Sequence, residues 1–189
     1  MQKRLIVWFW PVLLAGLLYA GQAAAFSLRT PEQTGFLVNT GSSYDPQPGF
    51  GFAQVGLVAL YDYEQIFSHR APDPLKFKLE GSLGLADDSR WRAFCAFNFF
   101  ALYYLDALQT QKFRPYIEAG AGIIYNDFQV EGQGLRINFN PQAGIGAEFE
   151  MADRRWFGAL RTHHVSNGNL HGDNRGINSI LLQFGFYFQ

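Results

Sequence analysis

Apolar and polar residues alternate along most of the chain, the two-residue period of strands whose faces meet different surroundings. In 75–86, Leu75, Phe77, Leu79, Gly81, Leu83 and Leu85 share one face, and Lys76, Lys78, Glu80, Ser82, Gly84 and Ala86 the other. In 135–150, Leu135, Ile137, Phe139, Pro141, Ala143, Ile145, Ala147 and Phe149 stand opposite Arg136, Asn138, Asn140, Gln142, Gly144, Gly146, Glu148 and Glu150. Charges at every second position of long strands fit the polar interior of a membrane barrel whose apolar face looks out at lipid. A soluble sandwich shows the same alternation with the apolar face turned inward. Strand length and an export signal favour the barrel, whose interior Arg136, Glu118, Glu148 and Glu150 are then expected to occupy.

Six further strands fall near 33–44, 52–65, 91–105, 114–126, 156–166 and 178–188, giving eight in all. A tilted membrane-crossing strand needs about 10 residues. Turn-forming clusters separate them: Asp45-Pro46-Gln47-Pro48-Gly49, Ala71-Pro72-Asp73-Pro74, Ala86-Asp87-Asp88-Ser89 and Glu131-Gly132-Gln133-Gly134. Segment 91–105 is apolar on both faces and admits some helix, while Pro115 and Pro141 fall inside strand patterns, where a missing N–H interrupts a ladder. At the end of the chain Ile180, Leu182, Phe184, Phe186 and Phe188 alternate with Leu181, Gln183, Gly185 and Tyr187. Such a strand resembles the segment read by the barrel assembly machinery, apart from Gln189 after the last aromatic. An even strand count puts both termini in the periplasm and the loop 167–177 outside the cell.

The N-terminus fixes the compartment. Lys3 and Arg4 precede an apolar run of about 17 residues, Leu5 to Gly21, and then Gln22-Ala23-Ala24-Ala25. This is the three-part layout of a secretory signal peptide cleaved after Ala25, and the run is at the short limit for a retained span. The expected organisation is a signal peptide over 1–25 and an outer-membrane β-barrel domain over 26–189. The fold class is all-β, an eight-stranded antiparallel transmembrane barrel of a Gram-negative outer membrane.

Composition narrows the chemistry. The formal charge of −1 becomes −3 once Lys3 and Arg4 leave with a segment that holds no acid, so no nucleic-acid partner is expected. A single cysteine, Cys95, cannot form an internal disulfide and reads as a small apolar strand residue. No Cys/His spacing suggests a metal, no glycine loop cradles phosphate, and no cofactor is implied.

One segment carries candidate chemistry. His164 and Ser166 are two apart, so a strand projects them from one face about 7 Å apart along the backbone. A serine hydroxyl needs a neighbouring base to act as a nucleophile, and histidine is the usual one. Trp156, Leu160, Thr162, His164 and Ser166 share a face; Phe157, Ala159, Arg161, His163 and Val165 share the other. Arg161 and His163 suit the interior, which turns His164 and Ser166 toward lipid. Polar groups there are costly without partners and so are functional candidates. Hydrated residues at a strand end are the plainer alternative.

The C-terminal half is similar to the outer-membrane lipid A 3-O-deacylases of the PagL type. The matching stretches are Arg114-Pro115-Tyr116-Ile117-Glu118-Ala119-Gly120-Ala121-Gly122, Pro141-Gln142-Ala143-Gly144-Ile145-Gly146, His164-Val165-Ser166-Asn167 and Asn174-Arg175-Gly176-Ile177-Asn178. Coverage is best over 92–189. The resemblance implies an eight-stranded barrel with its site on the lipid-facing wall, a serine esterase acting on lipid A of lipopolysaccharide among outer-membrane lipids. It implies Ser166 as nucleophile, His164 as general base, and Asn167 as a shaping residue. The oxyanion donors would be the Asn174 side chain and a backbone N–H in 167–169. Asn178 stands where the family places a glutamate. Its amide can hold the histidine but brings no charge, so either the enzyme is slow or another acid substitutes, and Asp173 in the loop is the nearby acid to test. The substitution also leaves open a non-catalytic structural or adhesion barrel, which the retained His164, Ser166, Asn167 and Asn174 oppose. A small pore is disfavoured because side chains normally fill an eight-stranded interior.

Overall fold

The computed structural model describes residues 30–67 and 69–188, so the expected signal peptide lies outside the described residues. The strands are β1 (Gln33–Asp45), β2 (Gly51–Asp62), β3 (Leu75–Asp88), β4 (Arg90–Tyr104), β5 (Phe113–Asn126), β6 (Ile137–Phe139), β7 (Gln142–Met151), β8 (Arg154–Val165) and β9 (Ile177–Tyr187). All pairings are antiparallel between chain neighbours, and the first strand pairs with the last, which closes the sheet into a barrel.

The barrel has eight staves, because β6 and β7 form one. Ile123 pairs with Phe139 and Gly120 with Gln142, which is a single unbroken register along β5. Pro141 lacks the N–H that would continue the ladder there. Segment 91–105, admitted as partly helical, is strand as far as Tyr104. The strand expected over 52–65 instead ends at Asp62 and gives way to a short helix, α1 (Tyr63–Phe67). There Phe67 packs edge-on against Phe77 at 5.2 Å, covering an outward aromatic at the periplasmic end.

Inside and outside divide as the alternation requires. Outward Leu57, Leu83, Phe97, Ile123, Ile145, Leu160 and Leu182 are exposed, Leu83 by 67%. Bare apolar surface of this extent around a closed sheet is a lipid-facing belt.

The interior is polar and filled. Arg161 donates to both Glu80 oxygens at 2.7 and 2.8 Å, to Glu118 at 2.7 Å and to Gln183 at 2.8 Å. Lys78 pairs with the same two carboxylates. Farther down, Tyr104 and Tyr187 donate to Glu148. Inward Gly144 and Gly146 give this network room: a Cβ there would come within 2.7 Å of the Arg161 stem and 2.4 Å of the Tyr116 ring. Glu118 and Glu148 are thus interior residues as expected. Glu150 and Arg136 are not. Glu150 sits at the periplasmic rim on Arg155 at 3.0 Å, and Arg136 at the outer rim on Asp127 at 3.0 Å. Parity gives a residue's face but not its height, and both lie beyond the walled part of the lumen.

Candidate active site on the outer wall

The site forms where β8 ends and β9 begins. The β8–β9 register sets His164 opposite Asn178, and the imidazole Nδ1 lies 2.6 Å from Asn178 Oδ1. On the other side His164 donates its backbone N–H to the Pro141 carbonyl at 3.0 Å. A shallow depression on the outer wall is lined here by Tyr44, Pro141, Ala143, Thr162, His164 and Asn178. His163, its neighbour, turns inward and meets Ser179 Oγ at 2.9 Å. The outward parity expected for His164 therefore holds.

Ser166 extends β8 past Val165. It exchanges backbone hydrogen bonds with Phe139 at 2.8 and 3.1 Å, so β6 pins it in the wall. Among the described residues the Ser166 hydroxyl makes no hydrogen bond, and none joins it to His164. The ring nevertheless leans its way. The β8–β9 register, continued one residue past Val165 and Ile177, sets Gly176 opposite Ser166. A Cβ at Gly176 would stand 2.7 Å from His164 Cε1 and 3.4 Å from Nε2, so the imidazole lies over the space this glycine leaves. Catalytic hydrogen bonds are often long without substrate and tighten once it binds.

The loop after Ser166 turns at once. Leu170 donates to the Asn167 carbonyl at 3.1 Å, with Gly168 and Asn169 at φ 62° and 64°. Two central residues at positive φ make a type I′ turn, for which Gly and Asn are the favoured types. Asn167 is buried and ties the turn to the far side of the loop. Its N–H reaches Asn174 Oδ1 at 2.8 Å and its Nδ2 reaches the Asp173 carbonyl at 2.8 Å. Asn174 Nδ2 in turn donates to Asn169 Oδ1 at 2.8 Å. The loop 127–136 clamps this arrangement from beside it: Gly134 donates to Asp173 O and Arg175 donates to Gly132 O, each at 2.8 Å. With the Asn167 N–H already taken by Asn174, the backbone donors left beside Ser166 are those of Gly168 and Asn169.

Asp173 does not fill the place of the acid. Its hydrogen bonds run through its backbone: the carbonyl accepts from Asn167 Nδ2 and from the Gly134 N–H, and its own N–H donates to His171 Nδ1 at 3.0 Å. The carboxylate beside Asn178 is Asp45, at the end of β1, which accepts from Asn178 Nδ2 at 2.8 Å. Asp45 also pairs with Arg175. Sequence reading set Asp45 in a turn and missed it.

A small, half-open apolar cavity lies inside the barrel mouth, lined by Phe52, Phe94, Phe128, Val165 and Ile177. The β8 wall separates it from the outward face of His164.

Fold and site together define an outer-membrane β-barrel of a Gram-negative bacterium whose polar cluster faces lipid. A family model described as lipid A 3-O-deacylase (PagL) matches residues 50–187, and the chain belongs to that family. Among solved structures, that of the outer membrane enzyme PagL is similar with a TM-score of 0.62 at 20% identity, covering 79% of this chain and 97% of that one. The structure of Neisserial surface protein A is similar with a TM-score of 0.60 at 12% identity, covering 82% and 94%. At such identities these likenesses establish the fold alone. No curated protein sequence matches the chain.

Proposed function

We propose that this protein is a serine esterase that removes the 3-O-linked acyl chain from lipid A in the outer leaflet. Ser166 attacks the ester carbonyl carbon while His164 Nε2 takes the hydroxyl proton. The tetrahedral intermediate collapses, His164 returns that proton to the departing sugar oxygen, and the acyl group stays on Ser166. A water molecule, deprotonated by His164, then releases the fatty acid. The N–H groups of Gly168 and Asn169 are the donors we assign to the oxyanion. One such donor typically contributes about 3–4 kcal/mol of transition-state stabilisation. Asn174 and Asn167 hold the turn that presents them.

The observation that carries this reading is the His164–Asn178 contact on the lipid-facing wall, in the same outward row as Ser166. An imidazole held at Nδ1 by an acceptor keeps its Nε2 lone pair free to act as a base. A substrate anchored in the bilayer needs no deep pocket. Below the site, Ile145, Ala147, Gly158, Leu160 and Leu182 line a second, apolar depression on the same wall. From His164 to Gly158 the strand descends about 20 Å, room for an acyl chain lying against the barrel. The closing strand β9 is the segment we assign to recognition by the assembly machinery.

The test uses the refolded barrel with lipid A in mixed detergent micelles. Wild type releases a hydroxy fatty acid; Ser166→Ala and His164→Ala, each folded by its heat-modifiable gel mobility, lose at least about 10³-fold in kcat. Equal release by wild type and Ser166→Ala would overturn the serine mechanism.

A further inference from the structure

The family's glutamate is absent, yet an acid still stands behind the histidine, one amide removed. We propose that Asp45 is the positioning residue of the site, setting the direction of the Asn178 amide and thereby the tautomer of His164. The inference rests on the serine mechanism proposed above.

An asparagine amide offers an acceptor at one end and a donor at the other, in nearly the same shape. Only the oxygen can accept a hydrogen bond from His164 Nδ1–H. The nitrogen, turned the same way, would demand a lone pair at Nδ1 and move the ring proton to Nε2, where it blocks the base. Something must therefore choose the orientation. An ionised carboxylate accepts and does not donate. Asp45 Oδ2 takes Asn178 Nδ2 at 2.8 Å, which leaves Oδ1 to His164 Nδ1 at 2.6 Å. The chain Asp45–Asn178–His164 thus fixes the proton on Nδ1 and the lone pair on Nε2. No proton reaches Asp45. As the imidazole becomes positive, the carboxylate polarises the amide between them and supplies the negative charge that an amide alone lacks.

A local irregularity creates the arrangement. Down most of β1, odd-numbered residues such as Leu37, Asn39 and Ser43 are buried in the lumen, and even-numbered ones such as Val38, Thr40 and Tyr44 are exposed. Asp45 should then point inward. Instead the β1–β9 register shifts between Ser43 and Asp45: Ser43 pairs with Ser179, and Asp45, not Tyr44, pairs with Asn178. Tyr44 is the extra residue of a β-bulge, a device that re-aims a side chain and is common beside active sites.

The charged and titratable groups around His164 come from three elements. Tyr44 and Asp45 belong to β1, Arg175 to the outer loop, and His163 to β8 itself on the inward face. Pro141, Gln142 and Ala143 of β7 carry no charge. Asn178 of β9 is neutral, so Asp45 is the anion of the set. Arg175 holds it in place from the loop.

A pair of backgrounds tests this. In the wild type, Asp45→Asn removes the charge and the acceptor-only end. It is expected to lower kcat about 10- to 100-fold with little change in KM. Asp45→Glu is expected to restore part of the rate. In an Asn178→Glu background the acid touches the histidine directly, and Asp45→Asn is expected to cost nothing. An equal loss from Asp45→Asn in both backgrounds would reduce Asp45 to a structural contact and overturn the proposal. A second readout needs no turnover. Nitrogen-15 NMR of His164 in the refolded barrel is expected to show the Nδ1–H tautomer in the wild type and a mixture in Asp45→Asn; identical tautomers would also overturn it. If the tautomer responds while wild type releases no fatty acid, the esterase reading fails and the positioning role of Asp45 stands.

Discussion

The lumen and the outer wall of this barrel use polar residues in opposite ways. Inside, Arg161, Lys78, Glu80 and Glu118 are almost wholly buried, and each charge meets an opposite one. Every arginine nitrogen has a partner. A network so satisfied has nothing left to offer a substrate, and its work is to fill the barrel. On the outer wall the polar groups are few and partly committed. His164 is held at one nitrogen, the Ser166 hydroxyl is unbonded among the described residues, and Asn178 is held from behind by Asp45. Polar side chains facing lipid are costly unless they have a function. The contrast separates structural polarity from chemical polarity within one strand: Arg161 and His163 point in, Thr162 and His164 point out.

That division can be broken from the inside first. Arg161→Ala leaves Glu80 and Glu118 with Lys78 alone. Removing one partner of a buried ion network typically costs about 3–5 kcal/mol. The gel-mobility melting temperature should fall accordingly, while the activity of each molecule still folded stays that of wild type. Gly176→Ala tests the outer wall. The added methyl would stand 2.7 Å from His164 Cε1 and push the ring off Ser166. A displacement near 1 Å at a reacting group costs about 10²-fold, so kcat should drop by that order with the melting temperature unchanged. The smallest effect belongs to neither region. Glu150→Gln breaks a half-exposed rim pair with Arg155 and should cost less than about 1 kcal/mol by the same melting assay.

Most of the barrel was legible in the sequence because a period of two maps directly onto in and out. His164 and Ser166 were placed on the lipid-facing side for that reason, and the structure sets His164 against Asn178. Asp45 was not legible. A bulge at Tyr44 reverses the parity of one residue, and no composition signal marks it within Asp45-Pro46-Gln47-Pro48-Gly49. Asp173 looked nearer in sequence but turns its backbone to the site. Glu150 and Arg136 were misplaced because alternation carries no information about height. Residues 63–65 were read as strand because the pattern of β2 runs on into them; they instead open a short helix whose Phe67 packs on Phe77.

The central claim is that polar groups on the lipid-facing wall cut lipid A, and the direct measurement is mass spectrometry of lipid A from cells expressing the protein or its Ser166→Ala variant. Wild type should remove the mass of one hydroxyacyl chain, and the variant, folded in the outer membrane, should leave lipid A intact. Unaltered lipid A in both, with both barrels folded, would contradict the account and return the protein to a non-catalytic barrel on the family's scaffold.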